Sequence, residues 1–188
     1  MTLLITMAES GSVLGLEREH DAIARELALD GVRFERWPTR AISDVADGPS
    51  VLAAYAPEIE RLSAEGPYPH VDVARMKPAP RDPEWPNKAR AAREKFLEEH
   101  THAEDEIRFF VEGEGAFYLR FANRVRVVLC GEGDLISVPA GTRHWFDMGE
   151  QPSFTAIRFF GTKEGWVASF TGDPIARAFP SFEAVRAS

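Results

Sequence analysis

The chain has 188 residues, 44% hydrophobic and 28% charged, the balance of an ordinary folded domain with room for one core and little for a second. Its net charge of -8 argues against a nucleic-acid or anionic-membrane partner, which would need clustered Lys and Arg. No apolar run reaches the length of a membrane span, no basic leader precedes the apolar N-terminus, and Cys130 alone can form no internal disulfide, so a cytoplasmic protein without a signal peptide is expected.

Taken in chain order, residues 2–7 read as a first strand. Ile23, Ala24, Leu27 and Ala28 then recur at helical spacing until Asp30-Gly31 stops the helix. Residues 32–37 alternate apolar and charged, as a half-buried strand should. Ser50 is expected to cap a second helix with Val51, Leu52, Tyr55, Ile59 and Leu62 on one face. Residues 71–76 read as a strand and the proline-rich 77–86 as a loop. Pro86 and Asn87 then open a third helix whose inward stripe is Ala89, Ala92 and Phe96.

Beyond that helix the pattern changes. Residues 106–111, 116–121, 125–130, 134–138, 144–148 and 154–160 are short apolar or alternating runs punctuated by glycine. Strands this short at this spacing predict an antiparallel sandwich or barrel. Cys130 lies in one such run, behind Val127, Val128 and Leu129, and is expected to be a buried small hydrophobe rather than a nucleophile. Residues 165–188 are expected to form a packed, mostly irregular tail.

The chemistry concentrates in His100-Thr101-His102-Ala103-Glu104-Asp105-Glu106. On an extended strand His100, His102 and Glu106 would share one face, and His144 follows later. Imidazole with carboxylate suits Fe, Mn, Ni or Zn rather than calcium or magnesium. The bland alternative is a set of surface histidines beside the acidic residues Glu98, Glu99, Glu104 and Asp105. Of the other histidines, His20 is expected to be a solvated helix-entry residue and His70 a loop residue.

Spacing sharpens the metal reading. Glu106 is followed by Gly113, and Gly133 by Pro139-Ala140-Gly141-Thr142-Arg143-His144. The pattern resembles the two motifs of the cupin superfamily, with Glu94 in place of the first motif's leading glycine and Met148 in place of the second motif's asparagine. The resemblance implies a mainly β (α+β) fold, a cupin antiparallel β-barrel or jelly roll with helices in an N-terminal extension. One domain would cover 1–188: a mixed helix and strand part over 1–98, a metal-binding barrel core over 99–170 and a tail over 171–188. The ligands would be His100, His102, Glu106 and His144. Three neutral imidazoles and one carboxylate leave a divalent ion with a residual charge of about +1 and open positions, unlike a closed, thiolate-rich structural zinc site.

The runs 98–113 and 141–149 are more specific. With Ile157-Arg158-Phe159-Phe160, Gly165-Trp166-Val167-Ala168 and the segment 31–37, they closely resemble acireductone dioxygenases. That resemblance implies an enzyme of methionine salvage whose substrates are O₂ and 1,2-dihydroxy-5-(methylthio)pent-1-en-3-one. With Fe²⁺ the products are 4-methylthio-2-oxobutanoate and formate; with Ni²⁺ they are 3-(methylthio)propanoate, formate and carbon monoxide. Arg108 matches the family arginine that holds the enediolate charge, although a strand arginine paired with Glu104 or Glu106 is the alternative. Phe96 and Phe146 would line the methylthio pocket, with Arg158 and Trp166 as further substrate-binding candidates; core or strand-face packing is the alternative for these four. The other readings are a cupin of different chemistry (oxalate- or quercetin-degrading, or an isomerase) and a non-catalytic ligand-binding module. Nothing in the sequence demands more than a monomer.

Overall fold

The computed structural model describes residues 1–188 and consists mainly of two antiparallel sheets. Strands β1 (Leu3–Ala8), β2 (Val13–Glu17), β5 (His100–Thr101), β7 (Gly115–Phe121), β8 (Arg124–Cys130), β10 (Arg143–Asp147) and β12 (Ser169–Phe170) form one, in the order β12-β5-β10-β7-β8-β1-β2. The other runs β3-β9-β6-β11-β4 and contains β3 (Arg33–Arg36), β4 (His70–Met76), β6 (Glu106–Gly113), β9 (Asp134–Val138) and β11 (Phe154–Phe160). Five helices accompany them: α1 (His20–Ala28), α2 (Gly48–Ala54), α3 (Ala56–Glu65), α4 (Trp85–Glu94) and α5 (Phe182–Arg186).

Strand alternation divides the apolar residues into three layers. Leu4, Phe117, Leu119, Val128 and Phe146 from the first sheet meet Phe34, Phe110, Ile136 and Ala156 from the second, and α1 closes this core with Ile23 and Leu27. Behind the first sheet, Tyr118, Trp145 and Leu129 pack on Phe179, Phe182 and Val185 of the C-terminal segment. Behind the second, Ile107, Phe109, Val111 and Ile157 pack under Val51 of α2, Leu62 of α3 and Tyr55 between the two helices. Each fully buried side chain of this size contributes roughly 1.5–3 kcal/mol. On β6 the outer set is therefore 107, 109 and 111, which leaves Glu106, Arg108 and Phe110 on the opposite face, toward the barrel interior.

Several expectations need correction. The segment 100–106 is not one extended strand: it leaves the first sheet after Thr101, turns over 103–104 and enters the second at Glu106. The predicted second helix is two. Asp47, not Ser50, caps α2 by accepting from the Ser50 N–H, and Pro57 has no N–H to continue the ladder, so the helix breaks at Tyr55 and restarts as α3. His20 opens α1, but its ring stacks on Phe34 at 4.9 Å rather than standing in solvent. His70 starts β4 and is not in a loop. The tail carries β12, a 3-10 turn over Pro174–Ala178 and α5. Strand β2 was not anticipated, because Val13, Leu14 and Leu16 stay exposed on the sheet edge and show no half-buried alternation. Cys130 is fully buried, as expected, and burial pushes its thiol pKa up.

Candidate metal centre

The two sheets bring His100, His102, Glu106 and His144 together, with one ligand atom from each lying within 4.8 Å of all the others. β5 pairs His100 directly across from His144 on β10, the turn after β5 supplies His102, and β6 opens with Glu106. Two glycines shape the approach. Gly113 sits at φ 76° where any Cβ would collide with the Ser153 carbonyl, and Gly141 at φ 77° makes the turn into β10. The Gly141 N–H donates to the His102 carbonyl at 2.9 Å and so ties one motif to the other. Where the first motif departs from its general form, Glu94 is the last residue of α4, so no turn glycine is needed there. Met148, the second departure, is buried in the core.

The imidazoles are oriented by backbone carbonyls. Nδ1 of His100 lies 2.7 Å from Glu98 O, that of His102 3.0 Å from Val167 O, and that of His144 2.8 Å from Thr142 O. A carbonyl only accepts, so each Nδ1 carries the proton and each Nε2 turns a lone pair inward. Glu106 Oε2 sits 3.0 Å from Nε2 of both His102 and His144. Four buried donor atoms therefore face one another, an arrangement that needs a metal ion, or protons shared with Glu106, between them. The donor set fits a divalent transition metal, with the outer hydrogen bonds that metal-binding histidines use. The charges agree. Burial, with His144 nearby, lowers the His100 pKa to about 4 and keeps the ring neutral. Burial would raise Glu106, but Arg108, His102 and His144 outweigh it and hold the carboxyl well below its usual range. His102 is the exception: burial would lower it, but Glu106 outweighs that and raises the ring, so without a cation in the cage this imidazole favours a proton on the nitrogen facing Glu106, which a metal would displace.

Beside the ligands lies a second chamber. Arg108 is 3% exposed, so its charge is almost wholly withdrawn from water. Its Nε comes within 2.8 Å of Glu106 Oε1, yet the angle makes no hydrogen bond and neither atom has another partner. Four rings surround the guanidinium, with centroids at 4.4 Å for Phe146, 5.1 Å for Trp166, 5.4 Å for Phe117 and 5.8 Å for Phe96. Burial, the dominant influence, lowers the Arg108 pKa. Of the two carboxylates named as its alternative partners, Glu106 is close, whereas Glu104 binds the Gly161 and Thr162 amides. Phe96, Arg158 and Trp166 line a neighbouring cavity of about 310 Å³, while Phe146 lies deeper, 1% exposed, beneath Arg108. Arg158 is held by Asp72 at 2.8 and 2.6 Å, and the Trp166 indole donates to Asp105 O at 3.1 Å.

The acidic residues around the ligands turn out to be clamps. Glu99 is 1% exposed and accepts from Arg120 and from the Thr171 hydroxyl. Asp105 accepts from the Tyr68 hydroxyl at 2.8 Å and from the Ala140 amide at 2.9 Å. Their partners lie tens of residues away, so nothing local in the sequence separates such a clamp from a solvated acidic run.

A two-sheet barrel holding three histidines and a glutamate on its inner face defines a metal-binding cupin. The model of the ARD/ARD′ family matches residues 52–168. Acireductone dioxygenase 2 of Nocardia farcinica is 52% identical over 185 residues, covering 97% of each chain. Acireductone dioxygenase of a Synechococcus species is 54% identical over 159 residues, 84% of each chain. Among solved structures, acireductone dioxygenase from Bacillus anthracis with a cadmium ion in its active center superposes with a TM-score of 0.74 at 28% identity, over 90% of this chain and 98% of that one. The chain belongs to the ARD/ARD′ family.

Proposed function

We propose that this chain is a metal-dependent dioxygenase that cleaves the acireductone 1,2-dihydroxy-5-(methylthio)pent-1-en-3-one with O₂ in methionine salvage. The supporting observation is the pairing of the His100-His102-Glu106-His144 cage with an adjacent buried guanidinium that is ion-paired with Glu106 but whose Nε makes no hydrogen bond. His100, His102, Glu106 and His144 would hold Fe²⁺ or Ni²⁺, one per chain. A divalent ion held there would supply residual positive charge to an electron-rich oxygen ligand. The rest of the work falls to the protein. Arg108 stabilises the enediolate as a fixed cation that needs no reorganisation, in a site screened from water by Phe117 and Phe146. Phe96 and Phe146 offer apolar surface to the methylthio tail, and Arg158 and Trp166 form the wall through which the substrate enters.

All four ligands and the pocket residues come from one chain, so the site needs no second copy to act on a small molecule and O₂, in keeping with a monomer. No helix is long and apolar enough to cross a membrane, and the net charge of -8 disfavours a nucleic-acid partner. The single buried cysteine is consistent with cytoplasmic residence. We read residues 1–188 as one cupin domain, with the barrel core at 99–170, because β1 to β4 from the first 98 residues are built into both sheets.

Anaerobic mixing of the metal-loaded protein with the acireductone, followed by O₂, should consume both in step. Protein reconstituted with Ni²⁺ should release carbon monoxide and the Fe²⁺ form should not. Identical products from both forms would remove the metal switch, and no O₂ uptake at all would leave a non-catalytic cupin.

A further inference from the structure

The chain has four lysines, and they divide cleanly. Lys77 is paired with Glu112 and Asp44, and Lys88 with Asp82. Lys95 and Lys163 make no ion pair, and both line the 310 Å³ cavity beside Arg108. Arg158 is on the same wall, so three cations face two carboxylates there, Asp72 and Glu164, and Asp72 is bound to Arg158. This is a local positive balance on a protein whose net charge is -8.

The cations also form a series leading inward. The Lys95 ammonium lies 5.2 Å from the Phe96 ring, and Arg108 approaches the same ring at 5.8 Å. Arg108 and Arg158 approach Trp166 at 5.1 and 5.6 Å. Cation and aromatic face thus alternate from the exposed mouth to the buried guanidinium, and of these cations only Lys95 has a ring beside it and no carboxylate partner.

We propose that Lys95 and Lys163 form an anion-capture rim that draws the substrate in as an enediolate and hands it to Arg108. The inference rests on the acireductone reading of the site, since an enediol conjugated to a carbonyl ionises readily. Without such a rim an anion approaching this protein meets net repulsion, which added salt relieves. With the rim the local field attracts it, and salt weakens the attraction within a Debye length.

The two cases differ in sign. The rim requires kcat/KM to fall as ionic strength rises, whereas the net charge alone requires it to rise. Lys95→Gln and Lys163→Gln should each lower kcat/KM about two- to threefold at low ionic strength, and the double charge reversal K95E/K163E about tenfold, with the differences vanishing at high salt. Lys95→Arg should keep the wild-type slope. Arg25→Gln removes an equally exposed, unpaired charge from α1, away from the cavity, and should change nothing. A wild-type rate that rises with salt, or glutamine variants that match Arg25→Gln, would overturn the proposal. Squarate, a stable dianion, titrated against tryptophan fluorescence gives the same comparison without turnover. If its binding weakens with salt and with Lys95→Gln while no acireductone is consumed, the rim stands and the substrate assignment falls.

Discussion

The ligand cage and the chamber around Arg108 are adjacent and share strands β6 and β10, yet they are prepared in opposite ways. In the cage every imidazole is fixed by a carbonyl, and each inward nitrogen is left electron-rich. In the chamber a buried guanidinium is surrounded by ring faces that hold it without using its N–H groups. Arg108 meets Glu106 as an ion pair at 2.8 Å but without hydrogen-bond geometry, so its donor capacity is not used up within the chain. On the proposed reading one compartment takes a cation and the other an anion. Their shared wall is the Glu106 carboxylate, with Oε2 turned to the histidines and Oε1 to Arg108.

The largest expected effect comes from breaking the cage. His102→Ala should abolish metal retention after dialysis, read as metal per chain, and with it all O₂-dependent turnover; unchanged metal content would remove His102 from the ligand set. Breaking the chamber should do less and differently. Arg108→Met keeps the bulk among the rings but loses the charge. It should retain metal while kcat/KM falls about 10²- to 10³-fold, the scale of losing one fixed charge stabiliser. Loss of metal in Arg108→Met would mean that the guanidinium belongs to the cage and that the two compartments are one.

How much of this was legible in the sequence differs between the same two regions. The cage was readable because its ligands recur with glycines and a proline at set intervals, and Gly113 shows why: no side chain fits beside Ser153. The route to convergence was misread, since shared parity on one strand does not operate when the chain turns between two sheets at 103–104. The chamber was legible only through family resemblance, because what distinguishes Arg108 is the absence of a hydrogen bond, which no local pattern encodes. The clamps Glu99, Glu104 and Asp105 were illegible for a related reason: an acidic run looks the same whether its partners are distant amides or water. The strands from 106 onward were clear because half-buried alternation is a local signal. Strand β2 was missed because it has no buried face.

Smaller effects should come from the supports of each compartment. Asp147, on the ligand strand β10, accepts from Arg93 at 2.7 and 2.9 Å and from the Gly149 and Phe182 amides at 2.9 Å each. Burial would raise this carboxyl, but Arg93 and the two amides outweigh it, so its folded pKa lies below the ordinary value of 3.8. The unfolded chain therefore binds the proton first as pH falls. The stabilisation is fully present above that value and is lost as pH drops below it toward the folded pKa. Asp147→Asn should destabilise the fold by about 1–3 kcal/mol in urea titrations at neutral pH and should flatten the acid limb of the stability curve, since it removes the charge-assisted bonds from Arg93 and leaves that guanidinium only its longer pairs with Glu183 and Glu150. An unchanged acid limb would show that other carboxylates govern it.

The finest distinction concerns Phe96, which borders both the chamber and the cavity. Its carbonyl accepts from the Phe146 amide at 2.9 Å, so the backbone is fixed independently of the ring. Phe96→Ala should therefore leave the cage and the metal content intact and remove only apolar surface and one face of the Arg108 enclosure. If the ring serves the methylthio tail, KM for the full substrate should rise about tenfold, the scale of losing one apolar contact surface, while an acireductone with a methyl group in place of the tail should show little change. If both substrates lose kcat equally, the ring acts instead by excluding water from Arg108, and Phe96 belongs with Phe117 as part of the guanidinium's enclosure rather than of the substrate pocket.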